Sequence, residues 1–280
     1  MFVIKADGKR EIFRPQKIIS SLVRIGVDES TARSFAEDIK GVHIRELRSD
    51  DIFRRITELL YQYNPVFAGK YNLRRAIMQM GPTGYPFEKY IAALLGSYGY
   101  QTKTNQMVWG ACVQYEIDVV VERDGETYVV ECKYHNTPGA RCDLKVALYV
   151  WARFLDIKEK WERGPGNRQE FYNGWLVTNT RCTSEAIRFA ECKGMKLTSW
   201  GYPQHESLEK LIEQKALYPM NVFPFLNNGW LYARLAEHGL YLLRDIVSYT
   251  TIDLAKKTGA QQKDISLLQK YARGLCGNNE

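Results

Sequence analysis

No apolar run in this chain approaches the roughly 18 residues that a membrane-spanning helix needs. The opening "MFVIKADGKREIF" has neither an apolar stretch nor a small-residue cleavage site, so no secretory leader is expected there. The cysteines, Cys112, Cys132, Cys142, Cys182, Cys192 and Cys276, form no C-x-x-C pair. That argues against a zinc ribbon and against a disulfide framework. Several of them lie in apolar or helical patterns and read as reduced core residues. The phosphate loop G-x-x-x-x-G-K-[ST] is absent, as are internal repeats and low-complexity tracts. These absences leave a soluble cytoplasmic protein with no membrane partner as the expectation.

The chain has 280 residues, 45% hydrophobic and 25% charged, enough for two or three domains. A net charge of +7 permits a polyanionic partner without requiring one. The excess is uneven: residues 1–80 hold 15 Lys and Arg against 10 Asp and Glu. The chain as a whole is therefore not coated for nucleic acid.

Three segments emerge: 1–80, 81–202 and 203–280. In the first, "FVIKADGKREIF" reads as a hairpin turning at Asp7-Gly8. Four helices follow. Pro15 sits in the first turn of one whose apolar stripe is Ile18, Ile19, Leu22 and Val23. Asp28 or Ser30 opens the next, and Ser49 is the expected cap of the third. "GPTGYP" marks the boundary. The second segment reads helix, hairpin, helix, strand, helix, strand, a mixed α/β layered domain, α+β over the whole chain. Its hairpin turns at Asp124-Gly125. The third segment is a small helical region broken at Gly239 and Gly259. Leu254, Ile265, Leu268 and Ala272 are expected to pack, with Lys256, Lys257, Lys263, Lys270 and Arg273 outward. It faintly resembles a helix-hairpin-helix, which offers amides and lysines to phosphates; a packing or dimerisation module reads equally well.

The stretch "YVVECKYHN" carries the chemistry. Residues i and i+2 of a strand share a face, so Glu131 and Lys133 point together and Cys132 points away. The partner strand carries Asp118, which the hairpin brings toward Glu131. The preceding helix adds Glu88 on the stripe of Ile91, Ala92 and Leu95. Carboxylates and a lysine on rigid elements suit metal-assisted phosphodiester hydrolysis. A bare E-x-K is also common on a solvated strand face. What strengthens the catalytic reading is the order: helical Glu, Asp beside the turn-linked strand, then Glu-x-Lys in an apolar strand.

Glu88, Asp118 and "ECK" (Glu131–Lys133) resemble the PD-(D/E)xK nuclease pattern. "GWLVTNTRCTSEAIRFAECKGMKLTSW" is similar to Mrr-type restriction endonucleases, where a "VTN" strand leads to a helix with A-x-x-x-A spacing, here Ala186 and Ala190. The resemblance covers about 84–202. It implies a restriction-endonuclease-like mixed sheet flanked by helices and a type II-like deoxyribonuclease acting on double-stranded DNA. It implies Mg²⁺ (or Mn²⁺) held by Asp118, Glu131 and the Cys132 carbonyl, Lys133 as the catalytic lysine and Glu88 as the helical acid. Mrr-type enzymes often carry Gln at the position of Glu131; the Glu form favours a competent metal site. His135, Arg141 and Lys145 read equally as phosphate contacts or as solvated residues. A homodimer is expected if both strands are cut.

The N-terminal order of elements resembles the ATP-cone over about 2–78. A V-x-K-x-D-G-x-x-E hairpin is followed by a helix opening with Lys, a helix opening after Ser or Thr, and a last helix with "Y-x-x-R-R". The resemblance implies regulatory binding of ATP or dATP by Val3, Lys5, Glu11, Lys17 and Ser49. Ala6 stands where the family usually has Arg, which removes one phosphate contact. The leading expectation is thus a Mg²⁺-dependent DNA endonuclease, of restriction or phage-defence type, that senses adenine nucleotide. The alternative is a nucleotide-responsive DNA-binding regulator on a non-catalytic nuclease fold. The ATP-cone also occurs in a repressor of ribonucleotide reductase genes, but there paired cysteines of a zinc ribbon precede it.

Overall fold

A computed structural model describes residues 1–5, 8–41, 46–81, 83–163, 172–223 and 229–277. Asp7 of the expected first turn, and Ala6, lie outside the described residues. Contacts divide the chain into two units, Met1–Ala76 with Met220–Glu280, and Ile77–Pro219.

Strands β1 (Phe2–Ile4) and β2 (Arg10–Ile12) form the expected antiparallel hairpin. Helix α1 (Pro15–Arg24) begins at Pro15, whose missing N–H costs nothing at a helix start. Ile18, Ile19 and Leu22 are buried, but Val23 is exposed, contrary to expectation. Measured around the helix from Ile18, Leu22 and Ile19 fall at about 40° and 100°, and Val23 at about 140°, past the edge of the buried arc. In α2 (Glu29–Lys40) the cap is Asp28, which accepts from the Thr31 amide at 2.9 Å. A three-residue strand β3 (Glu46–Arg48), with no counterpart in the sequence reading, pairs parallel with β1 and runs directly into α3 (Ser49–Tyr63). The cap position therefore falls on Arg48, in extended geometry, and Ser49 is the first helical residue rather than the expected cap. Helix α4 is Pro65–Met78.

The second unit contains α5 (Tyr85–Ser97), β4 (Gln101–Trp109), β5 (Gln114–Arg123) and β6 (Glu126–Lys133). Next come β7 (Arg141–Cys142), α6 (Leu144–Glu162), β8 (Tyr172–Thr178) and β9 (Arg181–Cys182). It closes with α7 (Ser184–Lys193), β10 (Lys196–Thr198) and α8 (Leu208–Gln214). The main sheet has the order β10-β8-β6-β5-β4. Strands β6, β8 and β10 are parallel; β5 is antiparallel to both its neighbours. Asp124 (φ 53°) and Gly125 (φ 79°) make the two-residue turn between β5 and β6. Positive φ at both centres matches the right-handed twist of the strands. This turn sets the register, with Arg123 opposite Glu126 and Val119 opposite Val130. Val119, Val130 and Leu176 are completely buried. Phe154 and Ile157 of α6 pack with Ile117 and Val129. Ala186 and Ala190 of α7 are buried in a cluster with Ala147, Val150 and Leu176.

The C-terminal helices are α9 (Gly229–Glu237), α10 (Leu243–Val247), α11 (Thr251–Thr258) and α12 (Gln262–Cys276). Gly259 (φ 74°) ends α11 in the left-handed conformation. Leu254, Ile265, Leu268 and Ala272 are buried, and the five expected cations are exposed. These helices share a unit with residues 1–76. Tyr271 hydrogen-bonds Tyr61 at 2.8 Å. A Cβ at Gly69 would stand 2.7 Å from the Phe223 ring, so the helix passes this close only as glycine. Among the described residues, no helix is long and apolar enough to cross a membrane.

Candidate functional site

With Val119 opposite Val130, the next position along the ladder sets Asp118 opposite Glu131. Asp118 Oδ2 accepts from the Cys132 amide at 2.7 Å, which locks the carboxylate onto β6. Glu131 Oε2 accepts from Arg153 Nη1 of α6 at 2.6 Å. Arg153 Nη2 donates to the Glu116 carbonyl, and its guanidinium lies over Tyr115 and Tyr149, 5.2 and 5.5 Å from the ring centres. Strand β4 breaks opposite Asp118: Asn105 has φ 53° between the pairs Thr104–Val119 and Gln106–Ile117. Lys133 stands exposed at the end of β6. The Cys132 side chain is buried, so only its carbonyl is available as a metal ligand.

Charge crowding marks this place. Burial pushes the Glu131 carboxyl up to about 7, and Asp118 adds to the rise, while Arg153 and Lys133 oppose it. Burial also pushes Glu88 up to about 7, helped by Asp118 and Glu116. Asp118 is raised by burial, against the pull of the Cys132 amide and Arg153. The structure thus brings Glu88, Asp118, Glu131 and Lys133 into one electrostatic neighbourhood. Among the described residues no three His, Cys, Asp or Glu side chains stand close enough to ligate one ion as they are. Two carboxylates and a carbonyl still fit Mg²⁺, a hard ion that keeps several waters and takes oxygens from substrate.

Stability follows from these shifts. A carboxyl that ionises near 4.5 when unfolded and near 7 when folded binds more protons in the folded state between those values. In EDTA, stability is therefore expected to fall as pH rises from 5 to 7.5, with Glu131 contributing about 1–3 kcal/mol. Urea unfolding at both pH values checks this. The slope should flatten in Glu131→Gln; an unchanged slope would contradict the assignment.

The sequence pattern does not mark Arg153, Glu116 or Asn179 as site residues. Arg153 follows the apolar "YVWA" run and directly precedes buried Phe154, an unusual place for an arginine and the one signal available. Asn179 belongs to the quoted "VTN" and is completely buried. Its Oδ1 accepts from the His135 amide at 2.9 Å, and its Nδ2 donates to the His135 carbonyl at 2.7 Å. Asn179 thereby clamps the backbone two residues beyond Lys133. His135 is half-buried, and burial lowers its pKa, with Lys133 adding to the effect. Arg141 and Lys145 are exposed.

In the other unit, Val3, Lys5, Glu11, Lys17 and Ser49 line one open pocket of about 120 Å³, together with Phe13, Ile18 and Ile52. Lys17 and Lys5 both reach Glu11 Oε2, at 2.8 and 3.6 Å. Hydrogen bonding by Lys17 is the main cause that holds the Glu11 carboxyl below its usual range.

The fold and the acidic cluster define a restriction-endonuclease-like domain. Residues 80–200 match the model of the Mrr_cat family, described as restriction endonuclease. An uncharacterized protein of Archaeoglobus fulgidus is 44% identical over 158 residues, 56% of this chain and 84% of that protein. A crystal structure of a protein of unknown function, AF1548, is 38% identical with a TM-score of 0.57. That match covers 70% of this chain and all of the solved one.

Proposed function

We propose that this protein is a Mg²⁺-dependent DNA endonuclease tuned by ATP or dATP at residues 1–80. The observation that carries the first half is the acidic cluster with Lys133 beside it on rigid strands. Asp118, Glu131 and the Cys132 carbonyl would hold Mg²⁺ or Mn²⁺. A bound divalent cation polarises a phosphoryl oxygen and acidifies a coordinated water. The chain's own part is positioning and charge. Lys133, on the Glu131 face, donates to the nonbridging phosphate oxygen, where negative charge grows. Asn179 fixes the backbone beyond it, so the lysine starts from one place. Glu88 completes the acidic rim. Double-stranded DNA is the substrate this chemistry and family favour. A restriction or phage-defence role extends the reading by analogy of fold.

The second half is supported by the pocket that gathers the five nucleotide candidates. Two lysines share one carboxylate there, leaving positive charge for phosphate oxygens. Lys17→Ala is expected to weaken ATP or dATP binding by about tenfold or more, the loss of one charged hydrogen bond. Fluorescence titration with a labelled nucleotide measures it; unchanged affinity would remove Lys17 from the site.

The test of the whole is cleavage of supercoiled plasmid, unmodified and methylated, in Mg²⁺ or EDTA, with and without ATP and dATP. Nicked or linear product in Mg²⁺ alone, at a rate that nucleotide changes, is expected. One observation favours the non-catalytic regulator instead: Arg153 already neutralises Glu131. Nucleotide-dependent DNA binding without cleavage under any condition would decide for that reading.

A further inference from the structure

Arg153 takes no part in the proposed hydrolysis, yet its guanidinium stands inside the acidic cluster. It is only 13% exposed, beside a Glu131 that is 19% exposed. It makes a 2.6 Å bond to Glu131 and a second bond to the Glu116 carbonyl. Its charge also opposes the rise that burial gives the Asp118 carboxyl. The arginine therefore faces the same carboxylates that a metal would need. Its Nε is buried and has no hydrogen-bond partner among the described residues, so the guanidinium is incompletely satisfied where it sits. Tyr149, over which it lies, is 59% exposed, so the route outward runs along an open surface.

We propose that Arg153 is the built-in counter-cation of this site: it holds Glu131 in the metal-free protein, and a divalent cation must displace it to bind. The inference rests on the metal reading given above. Three consequences follow physically. Without metal, the buried carboxylates keep one opposite charge and the domain stays folded. With metal, Glu131 exchanges one cation for another, so the apparent metal affinity carries the cost of releasing Arg153. Once released, the guanidinium regains hydration at Nε and keeps the fork geometry that suits a phosphate.

The test is Mn²⁺ binding by titration calorimetry on the full chain, for wild type, Arg153→Met, Arg153→Lys and Asp118→Ala. Melting in EDTA is measured in parallel, including the Arg153→Met/Glu131→Gln double variant. Arg153→Met is expected to bind Mn²⁺ at least tenfold tighter than wild type. It should melt lower in EDTA, and Glu131→Gln should restore part of that loss. Arg153→Lys separates displacement from simple charge. It keeps the charge but loses the fork that reaches Glu131 and the Glu116 carbonyl from two separate nitrogens, so it should bind Mn²⁺ a few-fold tighter than wild type. It also serves if Arg153→Met does not fold.

Wild-type affinity in both arginine variants, or weaker binding in either, overturns the proposal while leaving the metal site standing. No Mn²⁺ binding by wild type, with Asp118→Ala identical, overturns the metal reading and this proposal with it.

Discussion

Replacing Lys133 by alanine is expected to reduce plasmid cleavage in Mg²⁺ by about 10²–10³-fold, the usual loss when one donor to developing charge is removed. The fold should be untouched. Lys133 is exposed at a strand end and contributes no core packing, so its stability change should stay within about 0.5 kcal/mol. The acidic partners need gentler changes. Asp118→Ala strips the Cys132 amide of its acceptor, and an unsatisfied buried amide costs about 1–3 kcal/mol. Asp118→Asn keeps an oxygen for that amide and removes only the charge. Glu131→Ala would strand Arg153, whereas Glu131→Gln leaves it an acceptor. Both conservative variants should fold and fail to cleave. Rates on supercoiled plasmid, with circular dichroism as the fold control, decide it. Wild-type rates in the Lys133→Ala protein would end the assignment of that lysine.

The largest stability effect is expected at Trp175, on the strand between β6 and β10. Its ring is 3% exposed and lies 5.8 Å from Tyr100 and 5.7 Å from Tyr128, edge to face. Its Nε1 donates to Thr198 Oγ1 at 3.1 Å, tying β8 to β10. Lys196 Nζ sits 3.8 Å above the ring centre and loses that partner if the ring goes. Trp175→Ala should therefore destabilise the second unit by about 3–5 kcal/mol. Trp175→Phe keeps most of the packing and should cost less. Urea unfolding measures both; a loss under about 1 kcal/mol for the alanine variant would show that this cluster does not hold the sheet.

Much of the site could be read in advance because one turn controls it. A two-residue Asp124-Gly125 turn pairs the residues that flank it, and counting outward brings Asp118 opposite Glu131. Alternation then puts Lys133 on the Glu131 face. Strand β4 escaped because "QTKTNQ" carries no apolar face. It is a sheet edge, where polar residues and the break at Asn105 replace the usual alternation. Strand β3 escaped because three residues hold too little pattern to register. The misplaced cap at Ser49 has the same origin: the strand ahead of the helix took the capping position.

The sequence by itself determined the main helices, the β5–β6 register and the shared face of Asp118, Glu131 and Lys133, because each follows from neighbours one turn or one hairpin apart. Tertiary structure alone decided that Arg153 meets Glu131, 22 positions away, and that Asn179 clamps His135, 44 positions away. It alone packed the C-terminal helices with residues 1–76, where Gly69 admits the ring of Phe223. Those contacts depend on how whole elements pack, which is set by volume and shape summed over many side chains. No local spacing in the chain encodes that sum.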